Sequence, residues 1–347
     1  MKRHGNLYEK IISIENLREA AATAAKANGR TRAVDDYYSD EDGNLQRLHQ
    51  SLADFSFRPS SPSTFTVHEP KERTITTAPF YPDKIVEQAI VQVIEPILYP
   101  VFIYTSYGSI KKKGCLKLSK DIRNALNTDR RNCLYCLQTD IHHAFPNVDH
   151  DILLQLLSRK IKCAPTLRLI RILLNTPGLK IGGRMSQLLF NFFLSYFDHW
   201  MKEVKHVRHY FRYMDDMVIL SGSKAYLRQL LAEMEDYLRN RLHLSLKPSK
   251  QIYPIARDRH DRHGRPIDIA GYVIYLNQTR LRKRIKQNFC RKLAVLRRCH
   301  IGRTTFLHAV APWWGWLLST DSSFLLNKLQ TLSPYEIQFK NTSLVAA

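Results

Sequence analysis

The sequence predicts an α+β fold, an antiparallel sheet combined with helices, on three observations. The segment His209 to Leu220 sets two adjacent carboxylates, Asp215 and Asp216, between two apolar, strand-like runs, the pattern of a β-hairpin with its acids at the turn. Upstream, Leu134 to Leu137 form a short apolar run that reads as a core strand, with Asp140 near its C-terminal end. Past Pro146 and Asn147, the residues Ile152, Leu153, Leu156 and Leu157 recur at helical spacing behind Asp149, a residue type suited to a helix N-cap. Strand, carboxylate, bend and helix in that order present an acid at the edge of a sheet.

The other elements follow along the chain. Ile14 to Asn28 reads as a helix stopped by Gly29. Asp35 to Asn44 reads as an acidic, polar connector with a short helix after it, and Pro59, Pro62 and the serines between them mark the entry to the next segment. Gly178 to Gln187, GLKIGGRMSQ, precedes an apolar helical stretch from Leu188 to Met201. Its glycines let the backbone approach a bound group closely. RDRHDRHGRP, 257–266, is too polar to pack and reads as an exposed hairpin tip. Beyond it, Ile285, Phe289, Leu293 and Leu296 repeat at helical spacing, so one face of that helix packs while the others carry charge.

Charge limits the function classes. The formal net charge is +22 over 347 residues, more than solubility needs, and it points to a polyanionic partner. Ten cations and no acid lie between Arg280 and Arg303, among them Arg280, Arg282, Lys283, Arg284, Lys286, Arg291 and Lys292. Phosphate contacts of that kind give affinity without sequence readout. The N-terminus lacks the apolar core of a secretory signal, and no run is long enough to span a bilayer. Cys133 and Cys136 have metal-like spacing but no second pair, and they sit in or beside an apolar strand, so they read as buried thiols. A reducing, cytoplasmic setting suits them. His142 and His143 lie beside Asp140, but as neighbours in an extended segment they are expected to point to opposite sides.

Two adjacent carboxylates repel unless a cation offsets them. An isolated Asp-Asp pair is usually a solvated turn, but a third acid from a distant strand is what two-metal phosphoryl transfer requires. At this point the chain resembles a reverse transcriptase, from about Thr64 to about Asn288, on the YMDD turn at 213–216 and on Asp140 at the strand end. The resemblance implies a right-hand polymerase fold: an N-terminal helical extension (1–60), fingers (61–132), a palm of antiparallel sheet and helices (133–278) and a basic helical thumb with a C-terminal tail (279–347). It implies Asp140, Asp215, Asp216 and Lys250 as the catalytic set. Asp140, Ile141, Asp215 and Asp216 would hold two Mg²⁺ ions, with Mn²⁺ as a substitute. Nucleotide is expected at Lys71, Arg73, Ile141, Phe145, Ile181, Gly182, Ser186, Gln187, Tyr213 and Met214. Phe145 falls five residues past Asp140, where the family places an aromatic that crowds the sugar 2′ position. Asp83-Lys84 stands where many relatives have Asp-Arg, and Gly271 lies in a segment that resembles the primer grip.

The glycine-rich motif resembles one subtype. Many bacterial reverse transcriptases have Gln-Gly-x-x-x-Ser-Pro there, whereas this chain has Ile181 for the Gln and Gln187 for the Pro. That is similar to the enzymes of diversity-generating retroelements, in which the change is linked to loose selection opposite template adenine. The expected partners are then a template-repeat RNA, the cDNA or primer strand, deoxynucleotides and a small basic helical accessory protein. The alternatives are a retron, group II intron-derived or phage-defence reverse transcriptase, or a dead polymerase fold acting as a nucleic-acid scaffold. The absence of a nuclease-like pattern after the thumb is expected to separate it from a full intron-encoded protein.

Overall fold

The computed structural model describes residues 3–67, 73–299, 301–332, 337–340 and 343–346. In chain order its helices are α1 (Tyr8–Ile12), α2 (Ile14–Asn28), α3 (Arg32–Tyr38), α4 (Glu41–Ala53), α5 (Ile85–Leu98), α6 (Cys115–Thr128), α7 (His150–Ser158), α8 (Ala164–Leu173), α9 (Arg184–His199), α10 (Lys224–Leu242), α11 (Lys283–Arg298), α12 (Arg303–Leu318) and α13 (Ser323–Leu332). The strands are β1 (Ser63–Val67), β2 (Arg73–Thr77), β3 (Tyr135–Asp140), β4 (His209–Tyr213), β5 (Asp216–Ser221), β6 (Gln251–Pro254), β7 (Ile267–Ile269), β8 (Tyr272–Ile274), β9 (Thr279–Leu281), β10 (Ile337–Lys340) and β11 (Ser343–Ala346). The mixture of helix and antiparallel sheet is the α+β class the sequence predicts.

The chain forms two compact units: Met1–Tyr104 with Ile141–His206 and Glu233–Leu246, and Thr105–Asp140 with Val207–Ala232 and Lys247–Ala347. The first is mainly helical. Leu17, Ala20, Ala21 and Ala24 form the buried face of α2, which packs against the apolar α5. α9 adds Phe190, Phe192, Phe193 and Phe197, all fully buried. Gly29 ends α2 with φ of 67°, which glycine accepts without strain. Asp149 caps α7 as expected, accepting from the backbone N–H groups of Asp151 and Ile152.

The segment 35–44 is not the polar connector expected. It is mostly helical, α3 leading into α4 through a short break at Ser39 and Asp40. Most of its acids sit at helix starts: Asp35 in the first turn of α3, Glu41 and Asp42 in that of α4, with the Asp40 side chain accepting from Gly43 N–H, whereas Asp36 pairs with Arg32 within α3. Carboxylates at helix starts meet the positive end of the helix dipole and the unpaired N–H groups. Acidity in this stretch therefore mainly marks helix starts.

The second unit is built on a four-stranded antiparallel sheet in the order β4-β5-β3-β6. Cys136, Phe211, Val218, Leu220 and Tyr253 pack from this sheet with Leu118, Ile122 and Leu126 of α6. A second antiparallel sheet, β7-β8-β9, joins α11, α12 and α13 through Ile267, Ile269, Tyr272, Phe289, Leu293, Phe306 and Leu329. As the helical spacing predicts, Phe289, Leu293 and Leu296 of α11 are buried, with Ile285 partly so. The polar stretch 257–266 is largely exposed and closed at its base by Ala256 N–H to Arg265 O and Arg265 N–H to Pro254 O, both 2.9 Å. Among the described residues no helix is long and apolar enough to cross a membrane.

Candidate active site and nucleic-acid interface

The three acids expected to carry chemistry meet within the second unit. β3 and β5 pair antiparallel so that Asp140 lies directly opposite Asp216. β4 and β5 close on the pair Tyr213 and Asp216, which leaves Met214 and Asp215 as a two-residue turn. Met214 takes φ of 55°, the left-handed conformation that a tight hairpin turn demands. Its side chain lies against the backbone of Gly108.

What braces that turn is not legible in the sequence. Arg212 is fully buried, with Nη1 donating to the Met214 carbonyl at 2.8 Å and Nη2 to Ser106 Oγ at 3.0 Å. Its backbone is also engaged: Arg212 N–H donates to Thr105 O, and Tyr107 N–H donates to Arg212 O. A planar guanidinium can serve two acceptors at once, and here it ties the turn to the segment at 105–107. Arg212 thus continues the buried run of Tyr210 and Phe211 in β4.

Charge is concentrated at the acids. The Asp216 carboxyl is pushed up to about 6, chiefly by burial and then by the negative charges of Asp215 and Asp140, against the opposing pull of Lys247 and Arg282. The Lys247 ammonium pairs directly with Asp140, and Lys247 N–H donates to the Asp140 carbonyl at 2.9 Å. Lys250, the lysine expected to act on departing pyrophosphate, sits in the same turn, its N–H donating to Lys247 O. Among the described residues no three His, Cys, Asp or Glu side chains converge closely enough to hold a metal ion as arranged. The donor chemistry nonetheless suits one: hard carboxylate oxygens, mutual repulsion, and a cation already drawn to Asp140.

His142 and His143 depart from expectation. Their segment is a turn, with His143 at φ of 44°, and their rings meet edge to face at a centroid distance of 4.2 Å. A left-handed residue breaks the alternation that would have separated them. Cys133 and Cys136 are free, fully buried thiols, each pushed up to about 12 by burial.

The first unit holds the other described residues at which the sequence places nucleotide. Ile141 is fully buried and bridges to Leu246. The Phe145 ring stacks on Phe190 at 4.6 Å, and its carbonyl accepts from Leu179 N–H at 2.8 Å. That bond ties Phe145 to the start of the glycine-rich loop. Gly178 has φ of 63°, and a Cβ there would stand 2.3 Å from the Pro146 carbonyl oxygen and 2.4 Å from that of Phe145, so only glycine fits. Ser186 and Gln187 belong to the first turn of α9, which begins four residues before the helix the sequence predicts. Ile181 and Gly182 line a cavity of about 250 Å³ together with Ile75, Thr77, Lys84 and Gln88. Asp83 is buried and accepts from Ser60 N–H, while Lys84 Nζ donates to Asn28, so each has a partner other than its neighbour. Lys71 lies outside the described residues, as does the side chain of Arg73.

In the second unit, α11 exposes Lys283, Arg291 and Lys292, with Arg284 and Lys286 partly covered. A groove of about 640 Å³ is lined by Arg259, Tyr275, Arg280, Lys283, Lys286 and Phe324. Phe324 is 64% exposed, and Lys286 Nζ stands 5.5 Å from its ring centroid. Cations beside exposed aromatics are how proteins hold single strands. Arg282 donates to Asp268 through Nε at 2.8 Å. Gly271 takes φ of 91°, but what crowds it is the chain itself: a Cβ would meet Ile285 at 2.6 Å and the Trp316 ring at 2.7 Å. A side chain at Gly271 would therefore collide with those of α11 and α12.

Residues 68–258 match the family model for reverse transcriptase (RNA-dependent DNA polymerase). The chain belongs to the reverse transcriptase family. Among curated proteins, this reverse transcriptase is 26% identical over 184 residues to the group II intron-encoded protein LtrA of Lactococcus lactis subsp. cremoris, a match that covers 49% of this chain and 30% of the relative. It is 29% identical over 135 residues to an uncharacterized 91 kDa protein in the cob intron of Schizosaccharomyces pombe, covering 35% of this chain and 16% of that protein. The match thus spans less than a third of the length of either relative.

Proposed function

We propose that the chain is an RNA-directed DNA polymerase that extends a primer with deoxynucleotides on an RNA template. The observation that carries this reading is the placement of Asp140 opposite Asp216, with Asp215 in the adjoining turn, in a chain of this family. Asp140, Asp215 and Asp216 would hold divalent metal, with Mg²⁺ preferred by their hard oxygen donors. When bound, the metal supplies charge neutralisation for the triphosphate and a lowered pKa for the attacking 3′-hydroxyl. The protein's own groups do the rest: Arg212 fixes the turn, Lys247 offsets charge at Asp140, and Lys250 serves as the cation for departing pyrophosphate. The Phe145 ring occupies the space a ribose 2′-hydroxyl would need. The basic face of α11 and the groove beside Phe324 hold nucleic acid through phosphate contacts and stacking. Asp140→Asn or Asp215→Asn is expected to abolish extension of a primed RNA with Mg²⁺ while leaving RNA binding largely intact. Near wild-type extension by either variant would sink the assignment.

The subtype follows from the loop. Ile181 and Gln187 replace the usual Gln and Pro, which supports an error-prone enzyme of the diversity-generating type that copies a template-repeat RNA with substitutions at adenines, aided by a small basic accessory protein. An apolar Ile beside the nascent pair cannot make the polar contacts of a Gln, and selection weakens accordingly. Ile181→Gln should lower misincorporation opposite adenine by several-fold, since one restored hydrogen bond is worth about 1 kcal/mol. Sequencing cDNA made by both enzymes on one adenine-rich RNA measures this, and an unchanged error spectrum would remove the support. The second reading, an intron-derived enzyme, is favoured by the likeness to a group II intron-encoded protein. A template and variable repeat pair beside the gene would separate the two.

A further inference from the structure

We infer that Glu87, on α5, is a positioning residue that holds the loop carrying Ile181 and Gly182 and thereby takes part in base selection, a role that rests on the polymerase reading above. Glu87 reaches both sides of that dipeptide. Its Oε1 stands 3.7 Å from Lys180 Nζ, and its Oε2 lies 3.5 Å from the place a Cβ on Gly183 would take. The two side chains are only 12% and 8% exposed. Lys180 Nζ has no hydrogen-bond partner, so its buried charge is offset by nearby carboxylates, Glu87 at 3.7 Å and the buried Asp83. Burial pushes the Glu87 carboxyl above its ordinary range, and Lys180 is the charge that most opposes the shift.

A buried ion pair is an expensive way to fill a core, since apolar residues of like volume often serve stability as well or better. What the pair provides is a fixed attachment. The loop is tied on its entering side by Leu179 N–H to the Phe145 carbonyl and by His150 Nε2 donating to the Gly178 carbonyl at 2.6 Å. On its leaving side Arg184 pairs with Glu95. Between these ties lie Gly182, with φ of 104°, and Gly183, and the nearest atom to a Cβ on Gly182 is Ile75 Cγ2 at 3.9 Å. Two glycines with that much room give the segment freedom, and the Glu87 carboxylate underneath removes it. Ile181 then faces the cavity at one height, and that height decides which base pairs it tolerates.

The test compares wild type with E87Q, K180M and the double variant E87M/K180M, which removes both members of the pair together rather than leaving one without the other. Hydrogen–deuterium exchange of the peptide covering 178–184 is expected to accelerate about tenfold in the double variant, with its melting temperature little changed. In primer extension on an RNA template containing all four bases, the deoxynucleotide KM should rise about fivefold with kcat nearly constant, the signature of lost positioning. The ratio of errors at adenine to errors at the other bases should change about threefold in the same variant. A folded double variant with wild-type exchange, or with faster exchange but wild-type KM and error spectrum, overturns the inference. Should the wild type fail to extend primers at all, the polymerase reading falls, and the exchange result still decides whether Glu87 holds the loop.

Discussion

Replacing Arg212 by Met should loosen the hairpin turn that carries Asp215. The guanidinium is fully buried and donates to the Met214 carbonyl at 2.8 Å and to Ser106 Oγ at 3.0 Å. Each hydrogen bond from a charged donor contributes about 1.5–3 kcal/mol, and truncation takes these bonds from the buried Ser106 hydroxyl and the part-buried Met214 carbonyl. Against this, a Met no longer suffers the desolvation of a buried cation. The difference leaves a loss of about 3 kcal/mol, which corresponds to a fall of about 6–12 °C in melting temperature for a unit of this size. Activity should fall further than stability implies, about a hundredfold, because a shift of an ångström at a reacting group has that effect. Arg212→Lys keeps the charge but cannot fork between two acceptors, so it should fall between wild type and Arg212→Met. Thermal melts and steady-state primer extension measure both quantities. An Arg212→Met protein with unchanged melting and unchanged extension would refute the bracing role.

Phe145→Val should admit ribonucleotides more readily, read by competition between deoxynucleotide and ribonucleotide triphosphates; unchanged selectivity in an active variant would return the ring to a packing role against Phe190. Gly178→Ala should be among the most damaging single changes in the first unit, because it combines a positive φ with a Cβ 2.3 Å from the Pro146 carbonyl oxygen; a loss of about 3 kcal/mol or more in denaturant melts is expected, and a neutral result would show the loop can move aside. Cys133 and Cys136, with thiols pushed up to about 12, should stay protonated at pH 8 and resist alkylation in the native protein, whereas the exposed Cys299 should react; rapid native labelling of the pair would show that the strand opens.

Sequence alone was enough for the features that rest on local order. Apolar runs located β4 and β5, and helical spacing the apolar face of α11, because each depends only on residues close together in the chain. The Asp-Asp turn and the acid at the end of β3 were legible for the same reason, since a strand-end carboxylate is defined by its neighbours in the chain. The segment 35–44 failed because acidic residues suit both solvent and helix starts, and composition does not separate the two. What joins distant positions was decided only by the tertiary structure. The register that sets Asp140 opposite Asp216, the choice of Lys247 as the ammonium on Asp140 and the Arg212 brace all join parts of the chain far apart in sequence or hidden behind an ordinary strand pattern. The same holds for Glu87 and Lys180, 93 positions apart yet 3.7 Å from each other. Local periodicity reports which face of an element is buried, whereas the partner a buried charge finds depends on how the elements pack.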